Sequence, residues 1–379
     1  MSADSKMRQD ASQANARSIR QFNDQLGNWT MRLVRPTGAK RGAGRMVVAL
    51  LLAVALFGLL NPSVFLSPIN LQNIAVASPE IGVIAIAMMI VMLTGGIDLS
   101  LVAIANFTAI TISTLHTAIA ASDPILANDL GIVIVLIGLV VGMLGGALNG
   151  LLVSVVGITP ILATLATMQI YNGIAIVWTG GSTLYGAPTL LGVIGQAAIA
   201  NVPILFIIFI AAAILVGGIV NRTMLGRMIQ LEGANPIAAR YSAIPRRAVL
   251  MKTYTLGGLL AGLAGVLFLA RNPTASADYG SSYVLLVIVI AVLGGTNPNG
   301  GFASVFGVVL ATLTLQVVSS GFTAIRLTSY EYSIAQGVIL IVVMILDAVS
   351  STRSRRPKRI SPSPRTDGPL AETALILTR

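Results

Sequence analysis

From Met46 to Asn221 the chain carries no lysine and no arginine. Soluble domains are about one-quarter charged residues, so this stretch cannot fold with water over its whole outside. Its only formal charges are four acids, Glu80, Asp98, Asp123 and Asp129. Over all 379 residues, 10% are charged and 55% hydrophobic, which leaves too few polar groups to coat a globule. Lipid must solvate most of the folded surface. The same apolar content excludes a disordered body. There is no cysteine and one histidine, His116. A disulfide framework, a thiolate metal site and a multi-histidine centre are therefore excluded, and no metal or cofactor is expected.

Runs that qualify, or nearly qualify, as membrane spans lie near 46–66, 74–93, 99–121, 130–156, 158–178, 202–221, 248–270, 282–296, 302–321 and 332–349. A crossing helix needs about 20 apolar residues. The pattern predicts an all-α, polytopic membrane bundle of about ten helices, or eight to nine if glycine-rich stretches are re-entrant. The first run is interrupted at Asn61-Pro62, and the eighth is short.

Charge tests this count. Residues 1–45 hold nine Lys/Arg against three Asp, and 348–379 hold seven against Asp367 and Glu372. Six more fall within 222–252, against Glu232 alone. Basic segments beside spans stay in the cytoplasm. Ten crossings place both termini and the 222–247 loop inside, and leave Asp123 and Asp129 outside. The net charge of +11 thus reports orientation and not nucleic-acid binding. Three regions are expected: a basic, mostly disordered cytoplasmic tail at 1–45, a transmembrane domain at 46–349, and a basic, disordered cytoplasmic tail at 350–379. The first tail lacks the early apolar core of a signal peptide. The uncharged segment 179–201, with Gly180-Gly181 and Pro188, predicts a packed extracytoplasmic cap.

The sequence holds no G-x-x-x-x-G-K-[ST] phosphate loop and no H-E-x-x-H. No carboxylate pair sits at helical spacing inside a span. The chain is not expected to be an enzyme, and energy for uphill transport would arrive through another subunit.

The loop 222–247 contains Gly233-Ala234-Asn235-Pro236-Ile237-Ala238-Ala239-Arg240-Tyr241-Ser242. Asn235 suits a helix N-cap and Pro236 the first helical position, where a missing N–H costs nothing. Pro245 stops the helix after about two turns, Gly233 supplies a flexible entry, and Ala238 and Tyr241 share a face. Pattern alone leaves two readings open: a docking helix presented to a cytoplasmic motor, or a basic orienting loop with an incidental helix.

Together with Leu225-Gly226-Arg227, this stretch resembles the cytoplasmic coupling motif of bacterial ATP-binding-cassette (ABC) importer permeases of the ribose/xylose/rhamnose type. Three further stretches resemble the same family in order and spacing. They are Leu93-Thr94-Gly95-Gly96-Ile97-Asp98-Leu99-Ser100, Gly157-Ile158-Thr159-Pro160 with Ala163-Thr164-Leu165, and Leu293-Gly294-Gly295-Thr296 with Gly300-Gly301. The resemblance covers about 46–347. It implies a dimer with a second copy or a related permease, in the bacterial inner membrane. It also implies two separate ATPase subunits, and a periplasmic or lipid-anchored binding protein that delivers a small sugar. By position, it implies that Gly233, Asn235, Pro236, Ala238, Ala239 and Arg240 form the coupling contact. Two departures stand out. Ala243 occupies a place where the motif commonly has Gly, and Tyr283-Val284-Leu285-Leu286 lacks the acids the family often carries before Leu-Gly-Gly-Thr.

Gly95, Gly96, Gly294 and Gly295 read as helix breaks, allowing close helix approach or an interrupted helix beside a pathway. Asp98 reads first as the cap of a helix starting at Leu99, with a transport role, or a dimer or motor contact, as the alternatives. Amides and hydroxyls suited to an uncharged sugar include Asn106, Asn149, Thr159, Thr164, Gln169, Asn172, Gln316 and Gln336, each also a candidate for simple helix packing. The reading is a permease subunit of an ATP-driven importer for a monosaccharide or small polyol. The alternatives are an ion-driven secondary transporter, or an importer of nucleosides, branched-chain amino acids or a quorum-signalling sugar.

Overall fold

Three helix starts along this chain share one device. A side-chain oxygen stands immediately before a proline, so the cap satisfies free N–H groups while the proline occupies the position that needs none. Ser67-Pro68, Asp123-Pro124 and Asn235-Pro236 all do this, each with the cap oxygen accepting from the first turn. Glycine ends helices elsewhere, with Gly157 and Gly180 in the left-handed region at φ 87° and 63°.

The computed structural model describes residues 38–328 and seven positions between 331 and 341. The helices are α1 (Gly38–Leu60), α2 (Pro62–Phe65), α3 (Pro68–Leu93), α4 (Leu101–Ala120), α5 (Pro124–Asp129), α6 (Gly131–Leu151), α7 (Pro160–Thr179), α8 (Thr189–Gln196), α9 (Ile204–Arg222), α10 (Met224–Ala234), α11 (Pro236–Tyr241), α12 (Arg246–Arg271), α13 (Tyr283–Leu293) and α14 (Val305–Ala324). A π-helical turn, Leu152–Val156, extends α6. Four two-residue strands are β1 (Leu184–Tyr185), β2 (Ala198–Ile199), β3 (Val202–Pro203) and β4 (Thr274–Ala275).

Among the described residues, eight helices are long and apolar enough to cross a bilayer: α1, α3, α4, α6, α7, α9, α12 and α14. The expected eighth span is instead the 11-residue α13 preceded by irregular backbone at 272–282. That backbone and α13 together return the chain from the outer end of α12 to the end where α3 stops, so the crossing parity is kept. The predicted tenth span falls in a separate unit, Ser329–Arg379, and lies largely outside the described residues, as do most of both tails. The first helix begins at Gly38, ahead of the apolar run.

α3 and α12 are the buried centre, while α6, α7 and α9 turn Leu, Ile and Val outward. α6 reaches α12 through glycines spaced four apart. A β-carbon on Gly142 would lie 2.7 Å from Gly262 Cα, and one on Gly146 2.7 Å from Gly258 Cα. The backbones therefore touch, as small-xxx-small packing permits in lipid.

The segment 180–203 is packed. β1 pairs antiparallel with β4, Leu184 opposite Ala275. Asn128 Oδ1 accepts from Thr189 N at 3.1 Å and meets His116 Nε2 at 3.2 Å. Gly195 lies against the Ala270 carbonyl so closely that no side chain fits. This cap closes the outer ends of α4, α6 and α12.

Candidate functional site: the cytoplasmic junction and the mid-bundle cluster

The basic loop folds as two short helices. Thr223 starts α10, its Oγ1 accepting from Gly226 N at 3.2 Å. Asn235 starts α11, its Oδ1 accepting from Ile237 N at 3.1 Å and Ala238 N at 3.0 Å. Glu232, 3% exposed, pairs with Arg246 at 2.9 Å, so the loop's one acid is taken up inside. Ala243 sits at φ 56°, a left-handed geometry costing about 1–2 kcal/mol for a residue with a β-carbon. That is the physical reason a glycine suits this position.

Gly233 is not the flexible entry expected of it. It lies inside α10, where a β-carbon would collide with the Leu93 carbonyl oxygen and sit 2.7 Å from Gly301 N. Gly301 N donates to that same Leu93 oxygen at 3.0 Å. Beside it, a β-carbon on Gly300 would lie 2.8 Å from Gly95 N and 2.7 Å from Gly233 O. Three glycine motifs distant in sequence thus meet backbone to backbone at the ends of α3, α10 and the 294–301 loop. Gly294 continues the contact, packed on the backbone of Val308 in α14. Gly95 and Gly295 turn at φ 81° and 92°, where α3 and α13 end.

The opposite face of α11 is bare. Ile237 is 71% exposed and Tyr241 89%, whereas Ala239 is buried against the bundle. Asn235, Pro236, Ala238 and Arg240 are exposed. Ile237, Arg240 and Tyr241 line an open groove of about 1170 Å³ with Val155, Arg246 and Arg247. Of the residues assigned to coupling, four face outward, and Gly233 and Ala239 face the bundle.

Asp98 corrects a second expectation. The helix starts at Leu101 with Ser100 as its N-cap residue. Asp98 stands before it, fully buried, accepting from Ser100 N at 2.9 Å, Ser100 Oγ at 2.7 Å and Asn149 Nδ2 at 3.2 Å. Asn149 Oδ1 in turn accepts from Thr167 Oγ1 at 2.6 Å. Thr164 Oγ1 accepts from Leu99 N at 3.1 Å. Asn149, Thr164 and Asp98 therefore form one polar knot joining α4, α6 and α7, with every charge-assisted bond coming from a neutral donor. Thr159, expected within a span, is the exposed residue before α7. Gln169 is exposed on α7, while Asn172 and Gln316 are half-buried. Gln336 lies outside the described residues.

The sequence reading missed a second cluster. Glu80, halfway along the 26-residue α3, is 1% exposed. It pairs with Arg271 at the end of α12 and accepts from Tyr279 Oη at 3.1 Å and Tyr283 Oη at 3.4 Å. Asn106, from α4, donates to Ala277 O and Tyr279 O, both at 2.8 Å. α3 thus places a carboxylate beside Tyr283, at the start of α13. A lone carboxylate within an apolar run was the available signal.

The whole arrangement is an all-α membrane bundle with a short helix, α11, exposed on its basic loop. A family model described as the permease component of branched-chain amino acid transport systems matches residues 70–345. The chain belongs to this permease family. The permease is 31% identical over 306 residues to the ribose import permease of Bacillus subtilis (strain 168), covering 80% of this chain and 92% of that one. It is 31% identical over 302 residues to the D-allose transport system permease of Escherichia coli (strain K12), at 80% and 90% coverage. It is 29% identical over 318 residues to an autoinducer 2 import system permease of Photorhabdus temperata, at 81% and 91% coverage. No solved structure matches the permease. It is a multi-pass protein of the inner membrane.

Proposed function

We propose that the permease forms the pathway of an ATP-driven importer for an uncharged monosaccharide or related polyol. Separate ATPase subunits hydrolyse the ATP. A binding protein, periplasmic or lipid-anchored, delivers the cargo, and a second permease copy or a related chain completes the pathway. α11 docks on the ATPase. The observation that carries this reading is its two-sided construction. Ile237 and Tyr241 stand exposed, while the neighbouring Gly233 is locked by backbone contact to α3 and the 294–301 loop. Force on α11 therefore reaches the span helices without a flexible link, because packed interiors deform little.

The cargo class follows from charge and relatives. Named relatives import ribose, D-allose and autoinducer 2, whereas the family description names branched-chain amino acids. A zwitterion would call for unpaired charges along its route. Among the described residues, the deeply buried acids are already engaged: Glu80 by Arg271, Glu232 by Arg246, Asp98 by neutral donors. That favours uncharged cargo.

Proteoliposomes holding the permease, its ATPase and its binding protein test the reading. Uptake of D-ribose or D-allose is expected only with ATP. Uptake by the permease alone under a proton or sodium gradient overturns it.

A further inference from the structure

The irregular stretch 276–282, beyond the cap strand β4, lies at a depth where lipid does not tolerate it. Tyr279 reaches Glu80, halfway along α3, and Asn106 of α4 holds the carbonyls of Ala277 and Tyr279. Non-helical backbone at membrane depth survives only when buried in protein or beside water. Yet Asp278, Ser281 and Ser282 are exposed, and so is Leu285 at 72%. A carboxylate and two hydroxyls facing hydrocarbon would be costly and without purpose. Glu80 and Arg271 add to this. A buried ion pair seldom stabilises more than apolar packing would, and Arg271 keeps 32% of its side chain exposed. Asn106 Oδ1, by contrast, is buried with no partner, although its amide group is aimed at this segment.

We infer that the surface around 278–285, backed by Glu80, Arg271, Tyr279 and Tyr283, is a mid-membrane recognition site for an uncharged polyol, opening on a water-filled path. The inference rests on the import reading above and assigns its cargo a place. The chemistry fits that class. The Glu80–Arg271 pair is internally neutral, so it offers neither a net cation for a carboxylate nor a net anion for an ammonium. Arg271 donates, Asn106 Oδ1 accepts, and phenol and serine hydroxyls do both. Vicinal sugar hydroxyls also do both. The site sits where an interrupted helix begins, the place such pathways use in other transporters.

The chain has no native cysteine, so single substitutions report cleanly. Ser281→Cys and Ser282→Cys, in permease assembled with its ATPase, are expected to react with a membrane-impermeant, charged thiol reagent. Leu136→Cys, on the apolar outer face of α6, is expected to stay unlabelled. Saturating D-ribose or D-allose should slow labelling at Ser282→Cys at least threefold, and L-leucine should not. Serine positions as inert as Leu136→Cys overturn the water path. Labelling that neither sugar slows overturns the recognition site, and protection by leucine overturns the ligand class.

Tyr283→Phe adds a functional readout. Losing one hydroxyl that contacts the ligand is expected to raise the KM for uptake about tenfold with the maximal rate largely kept. A merely structural tyrosine would lower the amount of folded protein without moving KM. Dependence of uptake on ATP is scored in the same assay. An ATP-independent result strikes the importer reading, while an unmoved KM strikes only this site.

Discussion

α13 is held at its two ends by opposite chemistries. At Gly294 the contact is backbone on backbone: a β-carbon there would lie 2.6 Å from Val308 N, and no charged side chain takes part. At Tyr283 the contact is side chain on side chain, through Glu80 and Arg271. A glycine junction has one geometry, because nothing in it can rotate away. A polar cluster of phenols, an amide and a guanidinium has several, because each group can exchange one partner for another. The first suits rigid transmission from the cytoplasmic side. The second suits a place where cargo replaces protein partners and then leaves. The short helix between them links the two.

Substitutions at the glycine junction and at the polar cluster are expected to fail in different ways. Arg271→Ala is expected to be the most destabilising, by about 3–5 kcal/mol, since it strands Glu80 as a buried unpaired charge. Thermal unfolding in detergent measures it. The double variant Glu80→Leu/Arg271→Met should recover most of that stability and still fail to transport, separating folding from recognition. Gly233→Ala comes next, at about 1–3 kcal/mol, because α10 must shift away from Leu93. Its mark is lost coupling: ATP hydrolysis that no longer responds to loaded binding protein. Asn149→Ala should cost about 1–3 kcal/mol, since Asp98 and Thr167 lose a shared partner, seen as lower Tm without altered sugar specificity. Smallest and opposite in sign, Ala243→Gly should stabilise by up to about 1 kcal/mol by relieving its left-handed strain. A drop in Tm there would show that the strain is compensated locally.

The glycine junction was largely legible in the sequence and the polar cluster was not. Gly95, Gly233, Gly294 and Gly300-Gly301 stand in short motifs that announce themselves one by one, though only the structure shows that they touch. Asn235-Pro236 foretold its helix because cap chemistry is local. Asp98 was legible only in part: Ser100 is the local partner that cap chemistry implies, but Asn149, distant in sequence, completes its shell. Glu80 and Arg271 belong to different spans, and neither lies in a motif. Pairing across a bundle depends on which helix faces meet, which hydropathy does not encode. The short α13 was visible as a weak span, but its irregular approach was not, because 272–282 is anchored by Asn106 and Glu80, which come from helices distant in sequence.

Sugar-stimulated ATP hydrolysis by reconstituted permease carrying Ile237→Asp and Tyr241→Asp tests whether α11 docks on the ATPase. Both side chains are exposed, so the substitutions should change stability by less than about 0.5 kcal/mol each. The ATPase is expected no longer to co-purify and stimulation to disappear, while the permease stays folded in the membrane. Full retention of the ATPase with unaltered stimulation would contradict the docking role of α11.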